Sequence, residues 1–381
     1  MSIPLAVYVH LPWCVRKCPY CDFNSHATPR SLPESEYVSA LLADLAADAA
    51  TVAGYEVQSV FFGGGTPSLF APRSIGTVLD AIADALPLAP QPEVTLEANP
   101  GTVERGAFAG YAAAGVNRVS LGAQSFDAGQ LGALGRIHSP RDIVSAVDEL
   151  RRAGVDNFNL DLMYALPGQS VAGALDDVAA AIALGPAHLS HYQLTLEPGT
   201  AFYHQRPPLP DDDTALAMQL ACQERITLAG FDQYEVSAYA KAGRQCRHNL
   251  QYWHYGDYLG LGAGAHGKLT TIEGVWRSEK ARLPRDYMAR AIAGDAGERH
   301  RVTPAELPFE WALNALRLTD GASLAAFEAT TGLPATRLRP TLEALVARGL
   351  VGLDGDRLKP TELGFRFLND VQAAFLPERA A

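Results

Sequence analysis

Short apolar runs alternate with longer stretches of helical spacing over the first half of this 381-residue chain. The runs cover residues 6–10, 59–62, 94–97, 118–121, 158–162 and 188–194. After the first run, Tyr37, Leu41 and Leu45 recur at the helical period, and Ser31 with Glu34 predicts a capping box. Strands that alternate with helices indicate an α/β fold with a parallel sheet and crossover helices. Six such units are fewer than the eight of a closed barrel, so a partial barrel and a doubly wound open sheet are both candidates.

The pattern changes in the second half of the chain. Residues 231–275 are rich in tyrosine, glycine and histidine and have no clear period. Three helical runs, a hairpin turning at Asp354 and Gly355, and a last helix follow. They cover residues 304–318, 324–331, 338–350, 351–358 and 363–375. Three helices and a small hairpin resemble a winged-helix module, which we interpret as a lid or packing domain. We therefore divide the chain into residues 1–275 and a mostly helical, winged-helix-like domain at residues 276–381.

The charge balance and hydropathy exclude several classes of protein. The formal net charge is −11, whereas nucleic-acid-binding proteins usually carry a basic field. No stretch reaches the ~18 consecutive apolar residues of a membrane-spanning helix. The N-terminal segment enters the first predicted strand at once and lacks the regions of a signal peptide. We therefore expect a cytoplasmic protein with no nucleic-acid partner and no membrane span.

Three of the five cysteines follow directly after the first apolar run. They are Cys14, Cys18 and Cys21, in C-x3-C-x2-C spacing. Clustered thiolates suit zinc or an iron–sulfur cluster, and a large chain with few cysteines favours a reducing compartment. His10 would complete a four-ligand zinc site, so zinc and three unliganded cysteines stay as alternatives. In a four-iron cluster, three thiolates would leave one iron open to a further ligand.

Glycines and single polar residues follow several of the other predicted strands. Gly64, Gly65 and Thr66 follow the second run, and glycines let the backbone approach a ligand closely. The later positions are Glu97, Gln124, Asp161 and, in a loop, Arg136. Because the C-terminal ends of parallel strands line one mouth of a barrel, we expect these side chains to converge there.

The cysteine spacing, with Tyr20 just before the third cysteine, resembles the signature of the radical S-adenosylmethionine (SAM) superfamily. In that superfamily three cysteines hold a [4Fe–4S] cluster, and the amino and carboxylate groups of SAM chelate the fourth iron. Reduction of the cluster then cleaves SAM to a 5′-deoxyadenosyl radical. The resemblance implies a partial (β/α)6 radical SAM barrel, an iron–sulfur cluster, SAM as cofactor and a reductant as partner.

Within that superfamily the chain resembles the oxygen-independent coproporphyrinogen III oxidase group. The resemblance implies that matching positions bind SAM and that Tyr20 lies beside the cluster. The positions implied for SAM are Tyr8, Gly64, Gly65, Thr66, Glu97, Gln124, Arg136 and Asp161.

Two departures from the oxidases favour a different branch. Only thirteen residues precede Cys14, where the oxidases carry a long N-terminal arm, and Phe23 stands where they have a fourth cysteine. In addition, the H-N-x-x-Y-W element that begins at His248 resembles the HemW-type haem chaperones. The resemblance implies a protein that binds haem as cargo and transfers it to an acceptor protein. The alternative is a radical SAM oxidoreductase acting on coproporphyrinogen III or a related tetrapyrrole.

The residue types of this element suit haem. An imidazole is a good axial ligand for haem iron, and the aromatic faces of Tyr252 and Trp253 can pack on a flat macrocycle. His248 is therefore the predicted haem ligand. Rival ligands are Cys246, His254 and His266. His248 and Tyr252 are four residues apart, so they share a face only if this stretch is helical.

Overall fold

The computed structural model describes residues 3–101 and 107–377. Its first strands are β1 (Ile3–Leu11), β2 (Trp13–Cys14), β3 (His26–Ala27), β4 (Tyr55–Gly64), β5 (Leu88–Ala98), β6 (Arg118–Gln124), β7 (Phe158–Tyr164) and β8 (His188–Gln193). The later strands are β9 (Asp232–Glu235), β10 (Ala238–Ala240), β11 (Asp257–Leu261), β12 (His266–Thr271), β13 (Gly274–Lys280), β14 (Gly297–Arg301), β15 (Ala322–Ser323), β16 (Val351–Asp354) and β17 (Arg357–Pro360).

Helices connect most of these strands. The helices of the first half are α1 (Glu34–Ala49), α2 (Pro72–Ala85), α3 (Ala107–Ala113), α4 (Ala128–Ala133), α5 (Pro140–Arg152), α6 (Val171–Ala183), α7 (Ala201–His204) and α8 (Asp212–Leu228). Those of the second half are α9 (Arg247–Trp253), α10 (Pro284–Ile292), α11 (Leu307–Ala315), α12 (Leu324–Thr331), α13 (Arg339–Ala347), α14 (Glu362–Arg366) and α15 (Leu368–Ala373).

Six central strands, in the order β1-β4-β5-β6-β7-β8, form a parallel sheet. Each of the six apolar runs overlaps one of them, so the predicted βα repetition is confirmed. Beside β1 lies the parallel β11, and the antiparallel β12, β13 and β14 extend that edge. Antiparallel β10 and β9 extend the other edge beyond β8. The outermost strands of this order, β14 and β9, do not pair with each other in the described part of the chain, so the barrel is open.

The two faces of the central strands differ in chemistry. On β1, Leu5, Val7 and Val9 are fully buried in the core that the sheet shares with its helices. Because side chains alternate along a strand, the intervening positions face the other way, into the barrel. On β6 and β7 those inward positions include the buried Arg118 and Asn159. Polar chemistry is therefore concentrated inside the barrel and towards its C-terminal mouth.

The predicted capping box at Ser31 and Glu34 is wrong. Helix α1 begins at Glu34 with Pro33 as its N-cap, so Glu34 lies two positions too early to close such a box. Its Oε1 atom instead accepts a hydrogen bond from the backbone N–H of Ala71, at 2.7 Å, in front of α2. Glu34 thus joins two neighbouring βα units.

The C-terminal part has its own hydrophobic core and resembles a winged helix. Helices α11, α12 and α13 pack around Trp311 and Phe327, and β15, β17 and β16 form a three-stranded sheet. The hairpin turns at Gly355 and Asp356, one residue later than predicted, and the predicted last helix is divided into α14 and α15. Residue 275 lies within β13 of the large sheet, and the division of the chain there remains a prediction. No helix in the described ranges is long and apolar enough to cross a membrane.

Candidate functional site

A cavity of about 450 Å³ opens at the C-terminal ends of the central strands. All predicted cluster and SAM residues except Tyr8 line it. These are Cys14, Cys18, Tyr20, Cys21, Gly64, Gly65, Thr66, Glu97, Gln124, Arg136 and Asp161. The structure therefore gathers side chains that are up to 147 residues apart in sequence (161 − 14) at one mouth, as the parallel topology predicts.

The cysteine loop is held in place by backbone carbonyl groups. Lys17 Nζ donates hydrogen bonds to the carbonyl oxygens of Phe23 and Ser25, each at 3.2 Å. The N–H of Cys21 donates to the carbonyl oxygen of Cys18 at 3.2 Å and closes a turn between the two thiols. The loop therefore presents its thiols on a fixed backbone.

The thiols differ in their surroundings. Cys14 is buried, and burial raises the pKa of both Cys14 and Cys21. Arg136 Nη1 donates to Cys18 Sγ at 3.6 Å, which favours a negative charge on that sulfur. Within residues 3–101 and 107–377, no three His, Cys, Asp or Glu side chains are close enough to share a single metal ion. A cluster with irons at separate corners does not require its thiolates to converge on one point.

His10 is engaged elsewhere and gives no support to a Cys3His zinc site. Its Nδ1 shares a hydrogen bond of 3.0 Å with the hydroxyl of Tyr8, and its Nε2 shares one of 2.9 Å with the carbonyl oxygen of Asn24. Both ring nitrogens of this buried imidazole therefore have partners within the protein. A zinc ligand must instead direct a lone pair at the metal.

The glycine run at the end of β4 packs directly on the cysteine loop. The N–H of Gly65 donates to the carbonyl oxygen of Leu11 at 2.8 Å, and a Cβ at Gly65 would lie 2.6 Å from the carbonyl oxygen of Trp13. Gly64 has a φ of +114°, and a Cβ there would lie 2.5 Å from the ring of His10. Close packing within the protein therefore already requires glycine at both positions, whatever ligand lies in front of them.

Two carboxylates face the cavity from β5 and β7. Glu97 Oε2 accepts a hydrogen bond from the N–H of Gly64 at 3.1 Å, and burial, reinforced by the charge of Asp161, raises the pKa of Glu97 to about 8. Burial also raises the pKa of Asp161, against hydrogen bonds from Ser190, Ser120 and Asn159. The cavity thus holds two carboxyl groups that would bind a cationic ligand.

Gln124 occupies a strained position at the end of β6. Its φ is +67°, in the left-handed region that non-glycine residues rarely adopt, and its Oε1 accepts a hydrogen bond from the hydroxyl of Tyr192 at 2.8 Å. Arg136 Nη2 donates to the carbonyl oxygen of Gly122 at 2.8 Å and to Oδ1 of Asn99. Arg136 thereby joins the cysteine loop to two strand ends.

His248 lies in the barrel interior and is not part of the cavity lining. It shares hydrogen bonds with Ser59 Oγ at 3.0 Å and Tyr252 Oη at 3.1 Å, so both ring nitrogens have partners. Burial lowers the pKa of His248 to about 3, which keeps the imidazole neutral. The stretch is helical, as α9, which places His248 and Tyr252 on one face. Tyr8 lies between the two regions, with its ring centroid 6.3 Å from that of His248.

Helix α9 closes the end of the barrel opposite the cavity. Gln251 Nε2 donates to the carbonyl oxygens of Pro4 and Asp257 near the starts of β1 and β11, each at 3.0 Å. From Ser59 to Gly64 the strand advances by about 16 Å, at about 3.3 Å per residue. The element predicted to bind haem and the cysteine loop are therefore well separated along the barrel.

Comparison with known proteins agrees with this architecture. The model of the radical SAM superfamily matches residues 8–179, and that of the HemN C-terminal domain matches residues 302–367. The haem chaperone HemW of Escherichia coli K12 is 48% identical over 376 residues, which cover 98% of this chain and 99% of that protein. The chain belongs to the HemW family.

A further relative and a solved structure agree with this assignment. HemW of Haemophilus influenzae is 44% identical over 380 residues, which cover 98% of each protein. The solved structure of coproporphyrinogen III oxidase (HemN) from Escherichia coli superposes with a TM-score of 0.83 at 21% identity, over 98% of this chain and 90% of that one. At that identity the HemN match shows a shared fold. The radical SAM barrel with a helical C-terminal portion is thus confirmed for this HemW-family chain.

Membership of the radical SAM superfamily implies an iron–sulfur cluster and SAM, and the cavity suits both. Three free thiols at its wall are soft ligands for iron. Two carboxyl groups, an arginine and the backbone of a glycine run provide polar contacts for a charged, zwitterionic ligand. The residues present in this HemW-family site therefore fit the two groups.

Sequence reasoning missed several polar residues of the site. They are Asn99, Ser120, Asn159, Ser190 and Tyr192, of which all but Asn159 line the cavity. Asn159 supports that layer, because its Nδ2 donates to Ser120 Oγ at 2.7 Å and to Asp161 Oδ1 at 2.8 Å. For all of them except Asn99, the signal was present as polar residues that alternate with apolar ones along β6, β7 and β8. That alternation marks an inward face along the whole strand, and strand ends alone do not reveal it.

Proposed function

We propose that this protein is a haem chaperone that binds haem and transfers it to an acceptor protein. The observation that carries the proposal is the 48% identity to a protein named a haem chaperone, over 98% of this chain. The cavity that suits a cluster and SAM agrees with membership of the radical SAM superfamily.

We further propose that Cys14, Cys18 and Cys21 hold a [4Fe–4S] cluster and that SAM binds beside it. When bound, a reduced cluster supplies the electron for cleavage of SAM. Arg136 would stabilise the Cys18 thiolate, to which it already donates a hydrogen bond. The residues proposed to hold SAM are Tyr8, Gly64, Gly65, Thr66, Glu97, Gln124, Arg136 and Asp161, with Tyr20 beside the cluster. A reductant is the implied partner.

Cluster binding is tested by an iron and sulfide assay combined with visible absorption. Reconstituted wild-type protein should contain both elements, and Cys18→Ala should lose them. Cys222→Ala is the matched control, because Cys222 is a free, buried thiol in α8, away from the cavity lining. Zinc without sulfide in the wild-type protein would contradict the proposed cluster.

For haem we propose His248 as the axial ligand. The neutral imidazole that burial enforces is the form that binds a metal. Coordination through Nε2 requires that nitrogen to leave the hydroxyl of Tyr252, and haem must reach a side chain that is 1% exposed. Haem binding at His248 therefore requires α9 to separate from β4.

The ligand is tested by titrating haem into wild-type protein and into His248→Ala. We expect the variant to bind at least about tenfold more weakly, about 1.4 kcal/mol or more, with a changed Soret band. His254→Ala and His266→Ala are controls, because both of these histidines are exposed and close to the same region of the chain. Undiminished binding by His248→Ala would remove His248 from the haem site.

A second candidate function is oxidation of coproporphyrinogen III or a related tetrapyrrole. The observation in its favour is the cavity, which retains the residue types for a cluster and SAM. Against it, the exposed Phe23 occupies the position of the fourth cysteine of the oxidases. Reduced, reconstituted protein incubated with SAM and coproporphyrinogen should yield no protoporphyrinogen. Its formation would establish the oxidoreductase function.

We also propose a cytoplasmic location. All five cysteines are free thiols, which suits a reducing compartment.

A further inference from the structure

Two buried polar atoms without partners lie side by side inside the barrel. Arg118 on β6 and Thr95 on β5 are register partners, and their side chains are 2% and 0% exposed. Within the described ranges, neither Arg118 Nε nor Thr95 Oγ1 has a hydrogen-bond partner. Both residues precede a cavity-lining residue by two positions, namely Ser120 and Glu97. They therefore lie one inward-facing layer below the cavity.

Several polar groups surround the guanidinium from the neighbouring elements. The titratable groups that interact electrostatically with Arg118 are Glu93, Glu97, Asp161, His188, Tyr234, Cys246 and His248. Glu93 Oε1 is already occupied, because it accepts hydrogen bonds from the N–H of His248 at 3.1 Å and the thiol of Cys246 at 3.5 Å. The carboxylate of Glu93 thus binds α9 and its N-cap residue through that atom.

A buried guanidinium N–H and a buried hydroxyl are costly when they lack partners. Native proteins satisfy such groups with ordered internal water, which bridges polar atoms that cannot reach each other. A single water molecule in contact with both atoms would satisfy the guanidinium N–H and the hydroxyl together. Because Glu93 supplies negative charge nearby, water suits this position better than an anion.

We propose that Arg118, hydrated by internal water shared with Thr95, is the buried counter-charge that favours the ionised forms of Glu97 and Asp161 when a cationic ligand binds, and so is a positioning residue for SAM. This inference rests on the proposed binding of SAM at the cavity. SAM carries a sulfonium and an ammonium group, so its affinity depends on negative charge at those two carboxyls.

The pKa shifts of Glu97 and Asp161 agree with the position of Arg118 one layer below them. Burial raises the pKa of Glu97 to about 8 and raises that of Asp161, and the charge of Arg118 opposes burial at both. Asp161 raises the pKa of Glu97 further, and the N–H of Gly64 lowers it. Tyr8 also faces Glu97, whose charge raises the pKa of the Tyr8 hydroxyl. Arg118 is therefore the cation that favours ionisation of both groups from below.

The inference is tested on reconstituted holoprotein by measuring SAM dissociation constants between about pH 6.5 and pH 9. At neutral pH, Arg118→Met should bind SAM about tenfold or more weakly, because loss of the charge raises the pKa of both carboxyls and a smaller fraction of them is ionised. The ratio of variant to wild-type constants should fall as pH rises, since the carboxyls ionise in both proteins. The titration of SAM itself cancels in that ratio. Arg118→Lys should stay within about threefold of the wild type.

Equal affinity and an identical pH profile for Arg118→Met would overturn the inference and leave the proposed SAM site intact. Loss of SAM binding by the wild-type protein would instead refute both. If Arg118→Met does not fold, Thr95→Val carries the test. Thr95→Val should weaken SAM binding with the same pH-dependent ratio, and unchanged SAM affinity of Thr95→Val would contradict the proposal.

A high-resolution crystal structure of the holoprotein tests the hydration directly. We expect one water within hydrogen-bonding distance of both Arg118 Nε and Thr95 Oγ1. A direct side-chain partner for Arg118 Nε, or an anion at that position, would overturn the proposed water bridge.

Discussion

Single residues of the cavity are held in states that their free side chains would not adopt. Glu97 is the clearest case, since burial is the largest cause of its raised pKa. Its ordinary pKa is 4.5, and in the fold it is about 8. Between these values the folded chain binds one more proton than the unfolded chain, so this carboxyl lowers the free energy of unfolding as pH rises through that window.

We therefore predict that Glu97→Gln stabilises the cluster-free protein, and does so more strongly at pH 8 than at pH 5. The gain should reach between about 2 and 5 kcal/mol, at about 1.4 kcal/mol per pKa unit. Urea unfolding across this pH range measures it. The exposed Glu273→Gln is the control and should show no such trend. Parallel curves for Glu97→Gln and the wild type would show that Glu97 is not perturbed.

A second prediction concerns Gly65, where the added Cβ would meet backbone atoms of the cysteine loop. The nearest contact, 2.6 Å to the carbonyl oxygen of Trp13, cannot be relieved by rotating a side chain. Gly65→Ala should cost about 1–3 kcal/mol and reduce cluster occupancy, because β4 and the cysteine loop must separate. Thermal unfolding and iron content measure the two effects.

Gly132→Ala is the matched control for Gly65→Ala. Gly132 is exposed in α4, and a Cβ there has nothing within 4 Å. Alanine favours helix over glycine, so this variant should be neutral or more stable by up to about 1 kcal/mol. Equal thermal stability and equal iron content of Gly65→Ala and Gly132→Ala would contradict the close packing at Gly65.

At the scale of elements, the sequence pattern predicted long parallel strands well and short antiparallel ones poorly. The six central strands are six to eleven residues long and have buried apolar faces, so their runs stand out. In contrast, β9 and β10 are four and three residues long, too short for a period to show. β10 pairs with β8, which is distant in sequence, and β9 pairs with β10.

One ion-pair network fastens α1 to the antiparallel extension and gives a prediction at this scale. Lys280 on β13 donates to Asp44 at 2.5 Å and to Asp48 at 2.7 Å, both on α1, and all three side chains are buried. Lys280→Met would leave the buried Asp44 without its cation and Asp48 with Arg299, whose Nη2 donates to Asp48 Oδ1 at 2.6 Å. We expect a loss of about 3–5 kcal/mol in the free energy of unfolding, measured by chemical denaturation.

Arg285→Met removes an exposed cation of the same region and serves as the control. Arg285 pairs with Asp286 at 3.4 Å, with its side chain 92% exposed. Such pairs contribute little, so the change should stay within about 0.5 kcal/mol. If Lys280→Met also changes the free energy of unfolding by no more than about 0.5 kcal/mol, α1 is held by apolar packing alone.

At the scale of the whole molecule, the sequence predicted the mouth of the barrel but not its interior. Cys14, Gly65 and Asp161 could be placed together because each follows or ends a parallel strand, and topology brings those ends to one edge. The surroundings of His248 could not be predicted, because its partner Ser59 is 189 residues away and the contact exists only once α9 closes the barrel. Long-range pairing of this kind leaves no local pattern in a sequence.

This arrangement gives the protein two separate regions, a cavity for cluster and SAM at one end and α9 with His248 at the other. A chaperone must both hold its cargo and release it, so transfer is the decisive property. The most direct measurement loads reconstituted holoprotein with haem, adds an excess of a haem-free acceptor such as apomyoglobin, and follows the Soret band. We predict uptake of about one haem per chain followed by its complete transfer. Failure to take up haem, or uptake without release to any acceptor, would contradict the proposed function.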